Sequence, residues 1–184
     1  LTAPKTYNVV TDFGAHGDGI TDDTDAIQTA FDALNPGDTL IFPGGKTFVY
    51  TKTSTYKHPG YVLTVAKPGV HITSDGAGAT LLSKNEQTSE VFLNAGYITF
   101  DNLTVKSAGT TRRWDEYEKV GVRLGEHDSI TVNNVTVDGV GAAGIYVGGS
   151  RNFTISNVTV SNTRADSVHI TEGASYGTVT NVTS

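Results

Sequence analysis

The chain has 184 residues, with 13 Lys and Arg against 19 Asp and Glu, which gives a formal net charge of −6. Charged residues make up only 17% of the sequence and cysteine is absent, which excludes a disordered acidic tail, a coiled coil, thiolate catalysis and cysteine-ligated metal sites. No segment approaches the ~20 apolar residues of a membrane helix, and the basic pair Arg112 and Arg113 is too small for a nucleic-acid interface. We therefore expect neither a membrane nor a nucleic acid as partner.

The first 45 residues carry the helix signal of the chain. Apolar residues recur at helical spacing from Ala26 to Leu34, and the acidic, capping-type residues Thr21–Asp23 precede them. The Asn-Pro-Gly triplet after Leu34 ends the pattern. The sequence therefore predicts an amphipathic helix from about Asp23 to Leu34, after a short strand at Tyr7–Val10.

The rest of the chain repeats a pattern of short strands. Runs of Val, Ile, Thr and Phe alternate with turn residues, and segments that start at Gly121, Gly144 and Ser167 align 23 residues apart. A repeat of this length without a helix predicts one coil of a parallel β-helix, in which equivalent residues stack ~4.8 Å apart. An earlier repeat is longer, and its surplus residues, Thr110–Lys119, predict an inserted loop.

Stacking of the repeats places like residues in columns. The expected inward columns are Val122, Ile145 and Val168, and Leu124, Val147 and Ile170, and the expected ladder of turn amides is Asn134, Asn157 and Asn181. A solenoid needs covered ends, so the helix within residues 1–45 is the expected N-terminal cap for coils in residues 46–184. The last repeat stops partway through, and we expect this single all-β domain, residues 1–184, to be completed by a C-terminal remainder of the same protein or by another chain.

Two segments carry a resemblance to a known family. Gly14–Asp25, with its helix and the Pro43-Gly44 turn, resembles the opening segment of the pectate-lyase-like right-handed β-helix superfamily, which includes polygalacturonase-type glycoside hydrolases, lyases, epimerases and phage tailspike depolymerases. The resemblance implies a right-handed, single-stranded parallel β-helix with an N-terminal capping α-helix. Asn162–Ile170 is similar to the N-T-D-G-[IF]-D motif of the hydrolases, although it has two extra residues and a serine in place of the glycine. This similarity implies a catalytic role for Asp166, at the carboxylate position, and for His169, at the position of the second acid.

An outward column is expected beside the inward ones. The residue between two inward positions of a strand points outward, which predicts a column of Phe92, Arg123, Tyr146 and His169. Aromatic faces that stack on sugar rings and guanidinium groups that pair with carboxylates suit an extended, acidic polysaccharide. The candidate substrate-binding residues are Phe92, Arg123, Tyr146, Arg164 and, on the inserted loop, Arg112 and Trp114.

Three functions fit this pattern. Glycosidic hydrolysis uses two carboxyl groups, so the leading hypothesis is a glycoside hydrolase in which Asp166 is one of the pair, His169 tunes protonation or binds substrate, and further carboxylates follow Ser184. The first alternative is a lyase or epimerase acting on uronates, in which a basic residue abstracts a proton and Arg or calcium neutralises the carboxylate. The second is a non-catalytic glycan-binding or tailspike-type β-helix. The sequence has no metal or cofactor motif, and its methionine-free, Gly-rich composition favours a secreted, extracellular protein.

Overall fold

The described residues form short strands and one α-helix. The computed structural model describes residues 2–51, 63–85, 88–108 and 117–184. The strands are β1 (Thr6–Asn8), β2 (Asp18–Asp22), β3 (Thr39–Phe42), β4 (Thr47–Tyr50), β5 (Leu63–Val65), β6 (His71–Ser74), β7 (Ala79–Ser83), β8 (Val91–Leu93), β9 (Thr99–Ser107), β10 (Val122–Leu124), β11 (Thr131–Asp138), β12 (Ile145–Gly148), β13 (Thr154–Ser161), β14 (Val168–Thr171) and β15 (Thr178–Thr183). The helix α1 (Thr24–Ala33) lies between β2 and β3, and a 3₁₀ turn, Tyr117–Lys119, lies between β9 and β10. In this part of the chain no helix is long and apolar enough to cross a membrane.

The strands wind into coils with three faces around one core. β5, β8, β10, β12 and β14 pair in parallel to form one sheet, here named the site sheet. Each long strand contributes to both of the other two faces. The first half of β9 pairs with β6 on one face, and its second half pairs with β7 on the other. Val122 pairs with Ile145, and Ile145 with Val168, so paired residues are 23 positions apart. The predicted parallel β-helix and its coil length are confirmed.

The predicted inward columns fill the core. Val122, Leu124, Ile145 and Val147 are fully buried, whereas Ile170, on the last strand of the site sheet, is 47% exposed. Each fully buried aliphatic side chain stabilises the fold by roughly 1.5–3 kcal/mol. Burial of the stacked columns therefore stabilises the middle coils.

The helix α1 closes the N-terminal end of this core, as predicted. Phe31 is fully buried, and the side chain of Gln28 takes the place of a further strand beside β5. Its Nε2 donates a hydrogen bond to the Thr64 carbonyl (2.8 Å), and its Oε1 accepts one from the Thr64 amide (2.9 Å). This side chain covers a strand edge that would otherwise be open to pairing. The first strand, predicted at Tyr7–Val10, ends at Asn8, whose Oδ1 accepts a hydrogen bond from the amide two residues on (2.9 Å) and starts a turn.

Asparagines in the left-handed backbone conformation bend each long strand from one face to the next. The φ angle is 52° at Asn102, 51° at Asn134, 53° at Asn157 and 52° at Asn181, a region that asparagine tolerates better than most residues. Asn181 Nδ2 donates to Asn157 Oδ1 (2.6 Å), and Asn134 Nδ2 donates to Asn102 Oδ1 (3.1 Å). Asn157 Nδ2 donates instead to Oδ1 of Asn133, the outward residue just before the bend (2.9 Å). The predicted ladder is present, with one rung supplied by a neighbouring side chain.

The asparagine ladder leads to a prediction about the stability of the protein. Asn157→Ala is expected to lower the free energy of unfolding by about 1–3 kcal/mol, because alanine is strained at positive φ and two hydrogen bonds are lost. Thr159→Ala, at an exposed position two residues along the same strand, is the control and is expected to change it by less than about 0.5 kcal/mol. Urea unfolding measures both, and equal effects would contradict a role for the ladder.

Candidate active site

The predicted outward column lies on the site sheet. Phe92, Arg123, Tyr146 and His169 are register neighbours on β8, β10, β12 and β14, so the vertical arrangement expected from the repeats is confirmed. Exposure increases along the column: Phe92 is 4% exposed, the Arg123 side chain 12% and the His169 side chain 43%. The accessible part of the column therefore begins at Tyr146.

Phe92 and Arg123 are covered, which corrects the expectation that both face a substrate. The guanidinium carbon of Arg123 lies 4.4 Å from the ring centroid of Phe92 and 3.8 Å from that of Tyr117. Tyr117 covers the sheet because its 3₁₀ turn is held there: the Glu118 carbonyl accepts a hydrogen bond from the Glu90 amide (3.1 Å). A cation between two rings contributes on the order of 1–2 kcal/mol per close contact. Arg123 thus supports the site from below rather than facing its surface.

Glu90 is a buried carboxyl group that no sequence motif indicated. It is fully buried, and neither of its oxygens has a hydrogen-bond partner among the described residues. Its Oε2 lies 4.0 Å from Nη1 of Arg123. Burial raises the pKa of Glu90 to about 8, against the opposing effect of the Arg123 charge. Glu90 is therefore mostly protonated at neutral pH, beneath the site and out of reach of a substrate.

Glu172 joins Tyr117 to Tyr146 at the surface. Its Oε1 accepts hydrogen bonds from the Tyr117 hydroxyl (2.6 Å) and from the Tyr146 hydroxyl (3.1 Å). The Tyr117 hydrogen bond is the main reason that the pKa of Glu172 is lowered, whereas burial and the neighbouring hydroxyl and carboxylate raise the pKa of Tyr146. Glu172 is thus an ionised carboxylate held by two phenols. Sequence reasoning missed it, although it occupies the same repeat position as Gly149 and follows β14 directly.

Asp166 and His169, the predicted catalytic residues, are brought together. Oδ2 of Asp166 lies 2.6 Å from Nδ1 of His169, and the imidazole stacks on the Tyr146 ring, with centroids 5.3 Å apart and planes 11° from parallel. The side chains of Asp166 and His169 are 63% and 43% exposed. A carboxylate–imidazole pair therefore lies in the exposed part of the column, and the stacked Tyr146 ring fixes the plane of the imidazole.

The structure says less about the remaining predicted site residues. Arg164 is exposed and lies two residues before Asp166 on the turn that leads into β14. Arg112 and Trp114 fall outside the described residues, so their predicted contact with substrate stays a prediction. Within residues 2–51, 63–85, 88–108 and 117–184, no three His, Asp or Glu side chains are grouped to hold a metal ion.

Gly148 allows Glu172 to approach Tyr146, and this gives a second prediction. A Cβ at position 148 would lie 2.5 Å from Oε2 of Glu172 and 3.0 Å from Cε1 of Tyr146. Gly148→Ala is therefore expected to displace Glu172 and to lower the catalytic activity of this site by about 10- to 100-fold. Gly125→Ala, at the equivalent position one coil earlier, is the matched control, since the nearest neighbours of its Cβ would be Asn94 (3.0 Å), Phe92 (3.2 Å) and His127 (3.3 Å) rather than Glu172. Equal turnover in the two variants would show that the position of Glu172 does not matter.

Two family models match the chain. Residues 6–112 match the model described as rhamnogalacturonase A/epimerase, pectate lyase-like, and residues 120–184 match the model of the right handed beta helix region. The first match spans more than half of the chain. Together the two matches identify the observed coils as those of a right-handed β-helix.

Individual relatives cover different parts of the chain. A capsule-specific depolymerase from a Klebsiella phage is 31% identical over 150 residues, which is 73% of this chain and 18% of the depolymerase. A mannuronan epimerase from Azotobacter vinelandii is 41% identical over 78 residues, which is 41% of this chain and 5% of the epimerase. This chain thus spans less than a fifth of either relative. The crystal structure of a candidate glycosyl hydrolase from Parabacteroides merdae has the same fold, with a TM-score of 0.65, 14% identity and coverage of 96% of both chains.

Proposed function

This chain belongs to the rhamnogalacturonase A/epimerase, pectate lyase-like family, and we propose that its site sheet acts on an extended, acidic polysaccharide by abstracting the proton next to a uronate carboxyl group. The names of its relatives, a capsule depolymerase and a mannuronan epimerase, support a polysaccharide as substrate. The reaction would be that of a lyase or an epimerase.

The Asp166–His169 pair carries this proposal. A carboxylate 2.6 Å from Nδ1 favours the tautomer that has its proton on Nδ1, and this leaves Nε2 of His169 as the atom that accepts a proton. Because the His169 side chain is 43% exposed, a sugar ring can approach Nε2 from solvent. A positioned general base of this kind accelerates proton transfer by about 100- to 10,000-fold.

Two neighbours have supporting roles in the proposal. The Tyr146 ring, stacked on the imidazole, fixes the plane in which Nε2 points. Arg164 is proposed to pair with the uronate carboxylate, because a cation there stabilises the negative charge that develops when the proton leaves. Arg123 cannot take this role, since Phe92 and Tyr117 cover its guanidinium group.

Glycoside hydrolysis is the second candidate function. The exposed carboxylate of Asp166 supports it, together with the similarity of Asn162–Ile170 to the hydrolase motif. Hydrolysis also needs a carboxyl group that stays protonated beside the substrate. Among the described residues, Glu172 has a lowered pKa and Glu90, whose pKa is raised, is fully buried. The observation that favours proton abstraction is the contact between Asp166 and Nδ1 of His169.

The products distinguish the two candidates. The full-length protein is incubated with sodium alginate and, separately, with polygalacturonate in deuterium oxide. Proton abstraction is expected to give either an unsaturated uronate that absorbs ultraviolet light, or an inverted uronate that carries solvent deuterium. New reducing ends without either signal would establish hydrolysis instead. Unchanged polymers would contradict both candidates for these substrates.

A further inference from the structure

A second column of residues lies at the corner after the site sheet. Tyr97, Ser129, Asn152 and Tyr176 occupy the same corner in four successive coils: the amide of Tyr97 donates to the Asp128 carbonyl (2.9 Å), that of Ser129 to the carbonyl of the next coil (2.9 Å) and that of Asn152 likewise (3.0 Å). All four have positive φ, of 61°, 57°, 53° and 54°. We name this set the corner column.

The two tyrosines do not suit this backbone. A left-handed conformation costs a bulky L-residue roughly 1–2 kcal/mol, whereas asparagine adopts it more readily. At Tyr97 packing gives little compensation, because this residue is 64% exposed although the next coil stacks on it. Asn152 and Ser129 occupy the same corner with small polar side chains. The fold therefore accepts a small residue at this corner, and the backbone conformation does not call for a tyrosine.

Polar groups fill the space between the rings. The Asp128 carboxylate accepts hydrogen bonds from Nδ2 of Asn152 (2.8 Å) and from Oγ of Ser129 (3.0 Å), and these bonds lower its pKa. Arg151, which is exposed, pairs with Asp128 and the following coil through the backbone at the same corner. Three coil steps separate Tyr97 from Tyr176, a span of about 14 Å. The rings of Tyr97 and Tyr176 thus lie on either side of a patch of hydrogen-bonding groups whose positions are fixed by their contacts with one another.

We propose that the corner column is a second polysaccharide-binding track, parallel to the candidate active site. The rings of Tyr97 and Tyr176 bind the apolar faces of two sugar residues several units apart on one chain. Between them, Arg151 binds a carboxylate, and Asn152 and Asp128 bind hydroxyl groups, of the intervening sugars. The inference rests on the proposed function only for the class of ligand, an acidic polysaccharide, and not for the reaction.

The test separates binding from turnover. The full-length protein carrying His169→Asn, which prevents conversion during the measurement, is titrated with sodium alginate and with polygalacturonate. Adding Tyr97→Asn and Tyr176→Asn is expected to weaken binding by about tenfold or more. Because asparagine suits positive φ, the unfolding temperature is expected to stay the same or to rise. Ile20→Asn, which removes a side chain that is 79% exposed elsewhere, is the control and is expected to leave binding unchanged.

Each outcome is decisive. Binding that is equal with and without the two tyrosines overturns the inference, as does the absence of binding to both polymers by the parent protein. A large loss of stability in the tyrosine variant also overturns it, because the rings would then be structural. If binding depends on the tyrosines while the protein with His169 intact converts neither polymer, the track stands and the proposed reaction fails.

Discussion

Replacing His169 with asparagine is expected to lower kcat by about 100- to 10,000-fold, with a smaller change in KM. Asparagine keeps a polar side chain that can reach Asp166 but has no basic nitrogen to accept the substrate proton. Asp166→Asn is also expected to lower kcat, because an amide at this position no longer favours the Nδ1–H tautomer of the imidazole. Initial rates over a range of polymer concentrations measure both effects.

A matched control exists on another face of the coils. His71 and Asp101 form a second imidazole–carboxylate pair, with Nε2 of His71 2.9 Å from Oδ1 of Asp101, on β6 and β9 rather than on the site sheet. His71→Asn removes the same chemical group in a similar pair and is expected to leave kcat within about twofold of the parent value. A kcat for His169→Asn as high as that of His71→Asn would remove His169 from the mechanism.

The repeats made the outward column predictable before the structure was known. A period of 23 residues fixes which positions stack, so the adjacency of Arg123, Tyr146 and His169 follows from counting. The pairing of Asp166 with His169 was also within reach, since Asp166 lies two residues before β14 and His169 is the second residue of this strand. Period and alternation are properties of the backbone, and the parallel β-helix obeys them closely.

Exposure along the column was not predictable in the same way. Whether Arg123 faces solvent depends on the inserted residues before β10, which have no counterpart in the other repeats. The contact of Tyr117 with Glu172 joins residues 55 positions apart, and the register of the repeats says nothing about it. The repeat in the sequence therefore specifies which residues stack on the site sheet. The position of Tyr117 over them depends on three-dimensional packing, which the repeat does not specify.

Glu90 makes the stability of the protein depend on pH, and Glu90→Gln is expected to remove much of this dependence. Its pKa is about 8 in the folded protein and 4.5 for the unperturbed group. At pH values between 4.5 and 8, Glu90 is protonated in the folded protein and ionised in the unfolded chain. The resulting stabilisation is complete below pH 4.5 and is lost as the pH rises through 8. For a fully buried group with this shift, the loss is on the order of 3–5 kcal/mol.

The charges around Glu90 determine how this prediction is tested. Arg123 favours the ionised form of Glu90, whereas burial and the charge of Glu118 oppose it, so ionisation at high pH leaves an incompletely compensated charge beneath the site. Glutamine imitates the protonated acid, and the variant is expected to be close to the parent in stability at about pH 5 and more stable than the parent at about pH 9. Urea unfolding across this range, with the exposed Glu126→Gln as control, measures the difference. Stability curves that stay parallel for Glu90→Gln and the parent would mean that Arg123 compensates the Glu90 carboxylate fully even in the core.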